Sequence, residues 1–417
     1  MTETPNLLIA APPSEWASCP AWMTFSLARD TEQCPRRESL RRSEYKGIWQ
    51  GHGYPPGFSA AGTRGMIVHA SLRHIAKELA HEGCETINDP HAFEVLKRMG
   101  GYSAVLGAEI QHWISRCDGN PRLQREKLAI QQRLERLLPE MRLSLQNLLR
   151  YTHLEADDER AMGLHHVSLG ELHHGCYFEV ELRHPGLHWK GFADLVELTA
   201  AGDITIVDFK TGQPKQTDER QLLLYALLWA RDYVRNPKKR LATKLILQYP
   251  GESKPVTAPD SAVLAGLEKE LEGRSSTIRN ALKMIPPVAN IRSDTCPFCD
   301  VRHLCAAYWS ATSEVLHENG VGAYAIDCEI ALQNQIAYST WKAKSLFATA
   351  PRFPKTLAVH FSDPTVLEGL QGGDHLRIMQ TAIENAESEP PIITVRPTTE
   401  MFKVLPNEQN ESLACTC

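Results

Sequence analysis

Two groups of side chains in this 417-residue chain could do chemistry. The first lies in "GFADLVELTAAGDITIVDFKTG" (residues 191–212), which carries Asp194, Asp208 and Lys210. Asp208 and Lys210 are two apart, so on a strand they share a face, and Ile204 and Ile206 make that face apolar up to them. A charged pair at the end of an apolar face is costly unless it is solvated, paired or bound to a metal. Two carboxylates on adjacent strands offer the hard oxygen ligands that hold Mg²⁺ or Mn²⁺ on a phosphodiester. A lysine beside them can orient the attacking water and stabilise its deprotonated form. Asp-x-Lys alone is a common surface ion pair; its surroundings give it meaning. Glu179 and Glu181 lie on the preceding strand, and Gln221 and Tyr225 are four apart, on one face of a following helix.

The second group is "CPFCDVRHLC", with Cys296, Cys299 and Cys305 in a C-x2-C-x5-C cluster. Three cysteines this close in a reducing compartment read as metal ligands rather than inert thiols. A four-coordinate thiolate site needs one more ligand, and Cys34, His303 and Cys328 are the candidates. Zinc and iron–sulfur both suit such a set. Cys415 and Cys417, in the last residues, read as part of a disordered tail.

The run from Glu181 through "GFAD", "VDFKTG" and "QLLLY" resembles the PD-(D/E)xK nuclease superfamily, and more narrowly its RecB-like branch. That branch carries a Gly-x-x-x-His element on a helix before the sheet, and "GTRGMIVHASL" supplies Gly65 and His69. The resemblance spans about residues 26–309 and implies an α/β, restriction-endonuclease-like mixed sheet. It implies an active site of Asp194, Asp208 and Lys210, with His69 and the main-chain carbonyl of Phe209 as further metal ligands. Gln221 and Tyr225 would orient Lys210 and the DNA strand. Glu181 is the preferred upstream acid for its distance to "GFAD"; Glu179, two residues away and pointing the same way on a regular strand, is the alternative. The AddB-type relatives and related CRISPR adaptation nucleases hold a 4Fe–4S cluster with one distant N-terminal cysteine and a C-terminal trio, and Cys34 in "CPRR" matches the lone position. Zinc remains the competing metal. The implied activity is Mg²⁺- or Mn²⁺-dependent cleavage of DNA, at single strands or duplex ends, in repair, recombination or antiphage defence. A helicase or other repair or defence subunit is the expected protein partner. The alternative is a weakly catalytic DNA-binding or scaffold subunit.

The rest of the chain must position these groups. Residues 1–25 read as irregular and 26–310 as the nuclease region. Within it, a helical part spans about 66–160, broken at Pro139. "CYFEVELRH", "WKGFADLVEL" and "DITIVDFK" read as three strands, followed by helix, strand and helix. Residues 320–406 read as a small β-domain, with an OB-type barrel as one candidate, and 407–417 as disordered. A net charge of -5 gives no bulk argument for nucleic acid, so a DNA surface must be local. "CPRRESLRR" and "NPKKR" are basic enough to contribute, and Tyr225, Trp229 and Tyr249 could stack on bases. No apolar run is long enough for a membrane helix and no secretory signal is evident, so a cytoplasmic location without membrane contact is expected.

Overall fold

The computed structural model describes residues 7–49, 51–154, 170–311, 326–385 and 389–405. The expected tail 407–417, with Cys415 and Cys417, lies outside the described residues. The chain opens with β1 (Leu8–Ala10), α1 (Phe25–Gln33) and α2 (Pro35–Arg42). A helical stretch follows: α3 (Ala60–His81), α4 (Ala92–Arg98), α5 (Gly101–Ser115), α6 (Pro121–Arg125), α7 (Lys127–Arg136) and α8 (Leu138–Arg150). Then come β2 (Gly175–His184), β3 (Trp189–Leu198), β4 (Ile204–Phe209), α9 (Gln216–Arg231), β5 (Lys244–Gln248), β6 (Ser253–Val256) and α10 (Ser261–Lys283). The C-terminal part holds α11 (Ala306–Trp309), β7 (Ile326–Ala337), β8 (Thr340–Ala348), β9 (Thr356–Phe361), β10 (His375–Thr381), β11 (Ile383–Asn385), β12 (Ile392–Val395) and β13 (Met401–Val404).

Strands β2 to β6 form a five-stranded mixed sheet in sequence order. Only β4 and β5 pair in parallel, with α9 as their crossover. All six residues of β4 are buried, as a strand covered on both faces must be. Ile204 and Ile206 pack with Leu222, Leu228 and Trp229 of α9 and with α10. Val207 and Phe209 point the other way, into the core of α3, α5 and α8. Local chemistry sets the helix ends. Ser59 caps α3 by accepting from Gly62 N–H, Asp260 caps α10, and Pro139 starts α8 where its ring would break a continuous helix. This is the mixed α/β, restriction-endonuclease-like architecture expected from the sequence.

The β-region expected after residue 320 is present. It is an eight-stranded sheet, ordered β1-β13-β10-β7-β8-β9-β12-β11, with parallel pairs β1–β13 and β9–β12. It therefore has more strands than the five of an OB barrel, and the first of them comes from the stretch expected to be irregular. Alternating residues reveal strands but not their partners, and β1 lies almost 400 residues from β13. This sheet packs on the cysteine segment: Leu8, Met379 and Phe402 share a core with Cys296, Cys299, Cys305 and Trp309. Buried Arg302 pairs with Asp327 at 2.6 Å, and Arg122 of α6 pairs with Glu400 at 2.7 Å. No helix among the described residues is long and apolar enough to cross a membrane.

Candidate active site

The β3–β4 ladder pairs Leu195 with Val207 and then stops. Beyond that pair the strands splay, and Asp194 fills the opening. Its Oδ2 accepts the Phe209 N–H at 2.6 Å. Its Oδ1 lies 3.4 Å from His69 Nδ1, on α3. Asp208 sits at the end of β4, on the α9 side with Ile204 and Ile206, and is 3 % exposed. Its Oδ2 faces Lys210 Nζ at 2.6 Å but takes no well-directed hydrogen bond. Lys210 Nζ also donates to Gln221 Oε1 at 3.0 Å, and Gln221 Nε2 donates to the Tyr225 hydroxyl at 2.7 Å. Asp194, Asp208, Lys210, His69, Phe209, Gln221 and Tyr225 are thus gathered at one mouth of the sheet.

Charge is tightly balanced here. Burial, together with the Asp194 charge, pushes the Asp208 carboxyl up to about 7, against the pull of Lys210. Burial raises Asp194 as well, but His69 and the Phe209 N–H more than offset this and hold it below the usual carboxylate range. Burial lowers His69, but Asp194 and Asp208 together more than offset it and hold the imidazole above its ordinary range. Burial and the two carboxylates raise Tyr225, which stays a neutral hydroxyl. Two adjacent carboxylates, Asp208 buried with an oxygen lacking a hydrogen bond and Asp194 half-buried, form a donor set that a hard divalent cation fits. His69, Asp194 and Asp208 do not form a triple of ligand atoms within 4.8 Å, since Asp208 turns towards Lys210 and Asp194 towards Phe209. A cation would have to draw them together.

Glu181 is not brought to this mouth. It pairs with Arg183 at 2.9 Å and Lys190 at 3.4 Å. The sequence-based assumption that Glu179 and Glu181 point the same way also fails. Glu179 has φ 52°, which breaks the two-residue alternation. Accordingly, Cys176 and Phe178 face the α3 core while Val180 and Leu182 face the α9 core. Glu179 stands opposite Asp194 in the ladder and pairs with Arg73, one turn beyond His69 on α3. Arg73 was missed by sequence reasoning; its spacing of four from His69 was the available signal.

Two glycines let the layers close on the site. Gly65 brings α3 against Thr211, where an added Cβ would lie 3.3 Å from the Thr211 hydroxyl. Arg64 donates to the Thr211 carbonyl from the same turn. Gly191 lets α9 approach β3: a Cβ there would sit 2.7 Å from Tyr225 Cε1 and 3.2 Å from Leu228 Cδ1. Both neighbours are buried. Gly191→Ala is therefore expected to cost about 1–3 kcal/mol by overpacking. It should also displace the ring that anchors Gln221 and Lys210. Thermal melts of variant and parent check this; coincident melts would mean that the ring yields without strain.

The cysteines form a second constellation. Cys34 lies between α1 and α2, and its neighbours hold it against the 287–296 segment. Arg36 N–H donates to the Val288 carbonyl at 3.0 Å, and Asn290 Nδ2 to the Gln33 carbonyl at 3.0 Å. All four cysteines are buried. Burial raises the Cys296, Cys299 and Cys305 thiols, Cys299 up to about 12, and Cys34 adds to the rise at Cys296 and Cys305. Of the three fourth-ligand candidates, Cys34 is the one whose charge acts on thiols of the trio, at Cys296 and Cys305. His303 is stacked on Phe402 at 3.8 Å, and Cys328 is in the core of the C-terminal sheet. Arg36 acts on Cys305, and Arg37 and Arg41 on Cys299, so positive charge surrounds thiols that burial keeps neutral. Four soft donors in a cationic setting fit an anionic metal–thiolate group. Among the described residues, no three of the four sulfurs lie within 4.8 Å of one another.

Arginines of the first basic stretch are tied into ion pairs, whereas Lys238 and Lys239 of the second are exposed. Arg37 and Arg41 pair with Asp30, Arg41 also with Asp300, and Lys238 with Glu171. Trp229 and Tyr249 are buried, and the Tyr249 hydroxyl donates to Asp218 at 2.9 Å. Neither offers a face to a base.

Residues 23–306 match the family profile of the PD-(D/E)XK nuclease superfamily, whose nucleases use divalent metals such as Mg²⁺ or Mn²⁺. No curated protein matches the chain. The matched span begins ahead of Cys34, takes in the splayed β3–β4 mouth and ends just past Cys305, and on that match the chain belongs to the PD-(D/E)XK nuclease superfamily.

Proposed function

We propose that this protein is a RecB-like, Mg²⁺- or Mn²⁺-dependent deoxyribonuclease acting on single strands or duplex ends. The observation that carries the reading is the pair of buried Asp208 and half-buried Asp194 at the β3–β4 mouth, with the Lys210 ammonium 2.6 Å from Asp208. Asp194, Asp208, His69 and the Phe209 carbonyl would hold the cation, which supplies Lewis-acid stabilisation of the phosphate. Asp194 is already locked by the Phe209 N–H. Lys210 is aimed by Gln221, and Gln221 by Tyr225, so an ammonium is held where a water attacking the phosphate would develop negative charge. The neutral Tyr225 hydroxyl adds no competing charge. Glu181 has no part in this reading.

Cys34, Cys296, Cys299 and Cys305 would hold a 4Fe–4S cluster as an AddB-type clasp. The arginines around the buried thiols, Arg36 at Cys305 and Arg37 and Arg41 at Cys299, support an anionic metal–thiolate group there.

The test is incubation of anaerobically purified protein with labelled single- and double-stranded DNA in Mn²⁺, Mg²⁺ or EDTA, beside Asp208→Ala. Metal-dependent cleavage, abolished by EDTA and by the substitution, is expected. Cleavage that survives Asp208→Ala would place the chemistry elsewhere. No cleavage from folded, metal-loaded protein would favour a DNA-binding subunit built on the same fold.

A further inference from the structure

We infer that His153, Cys176 and Glu197 form a second metal site, distinct from the carboxylate mouth and from the clasp, that takes one zinc ion. Their ligand atoms all lie within 4.8 Å of one another, and among the described residues this is the group of three or more His, Cys, Asp or Glu so placed. The sheet builds two-thirds of the site. Cys176 of β2 and Glu197 of β3 are direct partners in the antiparallel ladder, so their side chains rise from the same face about 5 Å apart. That face is the one towards the helical layer, where Phe178 and Leu195 are their neighbours. The helical layer supplies the third ligand. His153 follows α8, and the next residue is fixed: Leu154 is 1 % exposed and its N–H donates to the Glu85 carbonyl at 2.7 Å. From there His153 Nδ1 reaches Glu197 Oε1 at 3.1 Å, and Cys176 Sγ lies 3.6 Å from the His153 carbonyl.

One nitrogen, one sulfur and one oxygen make a borderline-soft donor set, which selects zinc over magnesium or calcium. Bonds of about 2.0–2.3 Å to zinc need tetrahedral ligands roughly 3.3–3.8 Å apart, within reach of small side-chain rotations from this arrangement. The Cys176 proton leaves to solvent on binding. Three protein ligands leave a fourth position open, and the His153 side chain, 46 % exposed, faces solvent. Glu197 is three residues beyond Asp194 on β3, about 10 Å along the strand. An ion here would therefore tie the end of α8 to β2 and β3 without sharing ligands with the carboxylate mouth.

The experiment uses the full-length protein with its clasp intact and titrates Co²⁺ as a visible stand-in for zinc, with zinc content measured in parallel. One equivalent of Co²⁺ should give a sulfur-to-cobalt charge-transfer band in the difference spectrum. Cys176→Ser should abolish the band and the matching zinc equivalent. Glu197→Gln, which keeps shape at a strand position, should weaken binding at least tenfold and serves if Cys176→Ser fails to fold by circular dichroism. A band unchanged in both variants, a band lost instead with Cys296→Ser, or no sulfur-bound Co²⁺ in folded parent protein overturns the proposal. The nuclease assay does not enter this test, so either result leaves the proposed activity where it stands.

Discussion

Lys210→Met is expected to lower cleavage by about 10²–10⁴-fold at saturating Mn²⁺ while DNA binding persists. Methionine keeps the packing of the lysine stem and removes the ammonium. Two roles for that ammonium can be separated. Lys210 is the counter-ion that holds the Asp208 carboxyl down against burial and the Asp194 charge. Without it, Asp208 would stay protonated to higher pH, bind the cation less well, and regain function when pH or Mn²⁺ is raised. Lys210 is also the donor that Gln221 aims into the mouth. If its contribution is to stabilise the attacking water, turnover stays low at every pH and every metal concentration. The second pattern is expected, because a bound divalent cation itself replaces Lys210 as the counter-charge of Asp208. The discriminating measurement is turnover across pH at saturating Mn²⁺, with cation binding followed separately. Full recovery would reduce Lys210 to a counter-ion, and parental cleavage throughout would remove it from the site altogether.

Much of this site was legible because local rules carried it. The strand pattern from Cys176 to Lys210 placed Asp208 and Lys210 at the end of the apolar Ile204–Ile206 face, and those isoleucines do face α9. The four-residue spacing of Gln221 and Tyr225 put them on one helix face, where they form a relay to Lys210. The failure at Glu181 has a local cause that propensity does not show: a left-handed residue at Glu179 turns the alternation over within one strand. The C-terminal sheet was read as strands but not as pairings. In the nuclease sheet, β6 escaped because Pro255 sits within it, on an edge. β1 has only three residues, and nothing in Leu8–Ala10 names a partner at the far end of the chain. The arginines of "CPRRESLRR" read equally as phosphate ligands or solvated charge; their ion pairs with Asp30 and Asp300 are long-range facts that no spacing rule supplies.

Cys34→Ala should give a colourless protein that melts far below the parent or fails to accumulate. About 260 residues separate Cys34 from Cys296, so a cluster bridging them closes almost the whole nuclease region into one loop. For a cross-link of that span, loop-closure entropy contributes about 5–6 kcal/mol. Domain stabilities are about 5–15 kcal/mol, so losing this cross-link is comparable with losing the fold. The damage should extend beyond the nuclease region. Cys296, Cys299 and Cys305 share a core with Leu8, Met379 and Phe402 of the C-terminal sheet, and Arg302, between two of these cysteines and the sheet, is tied to Asp327. Cys328→Ala supplies the contrast. Cys328 is fully buried in β7 but belongs to the sheet's own core, away from the other four. Its loss leaves a small cavity, costs about 1 kcal/mol and should leave colour and iron content unchanged. Absorbance, iron per chain and melting temperature of the three proteins read these effects together. A stable, brown Cys34→Ala protein would exclude Cys34 as a ligand, and zinc in place of iron in the anaerobic parent would keep the clasp but change its metal. If the cluster acts only as a redox centre, bleaching it should leave the melting temperature nearly unchanged; the wrapping of two distant segments around buried, arginine-flanked sulfurs predicts instead that colour and fold are lost together.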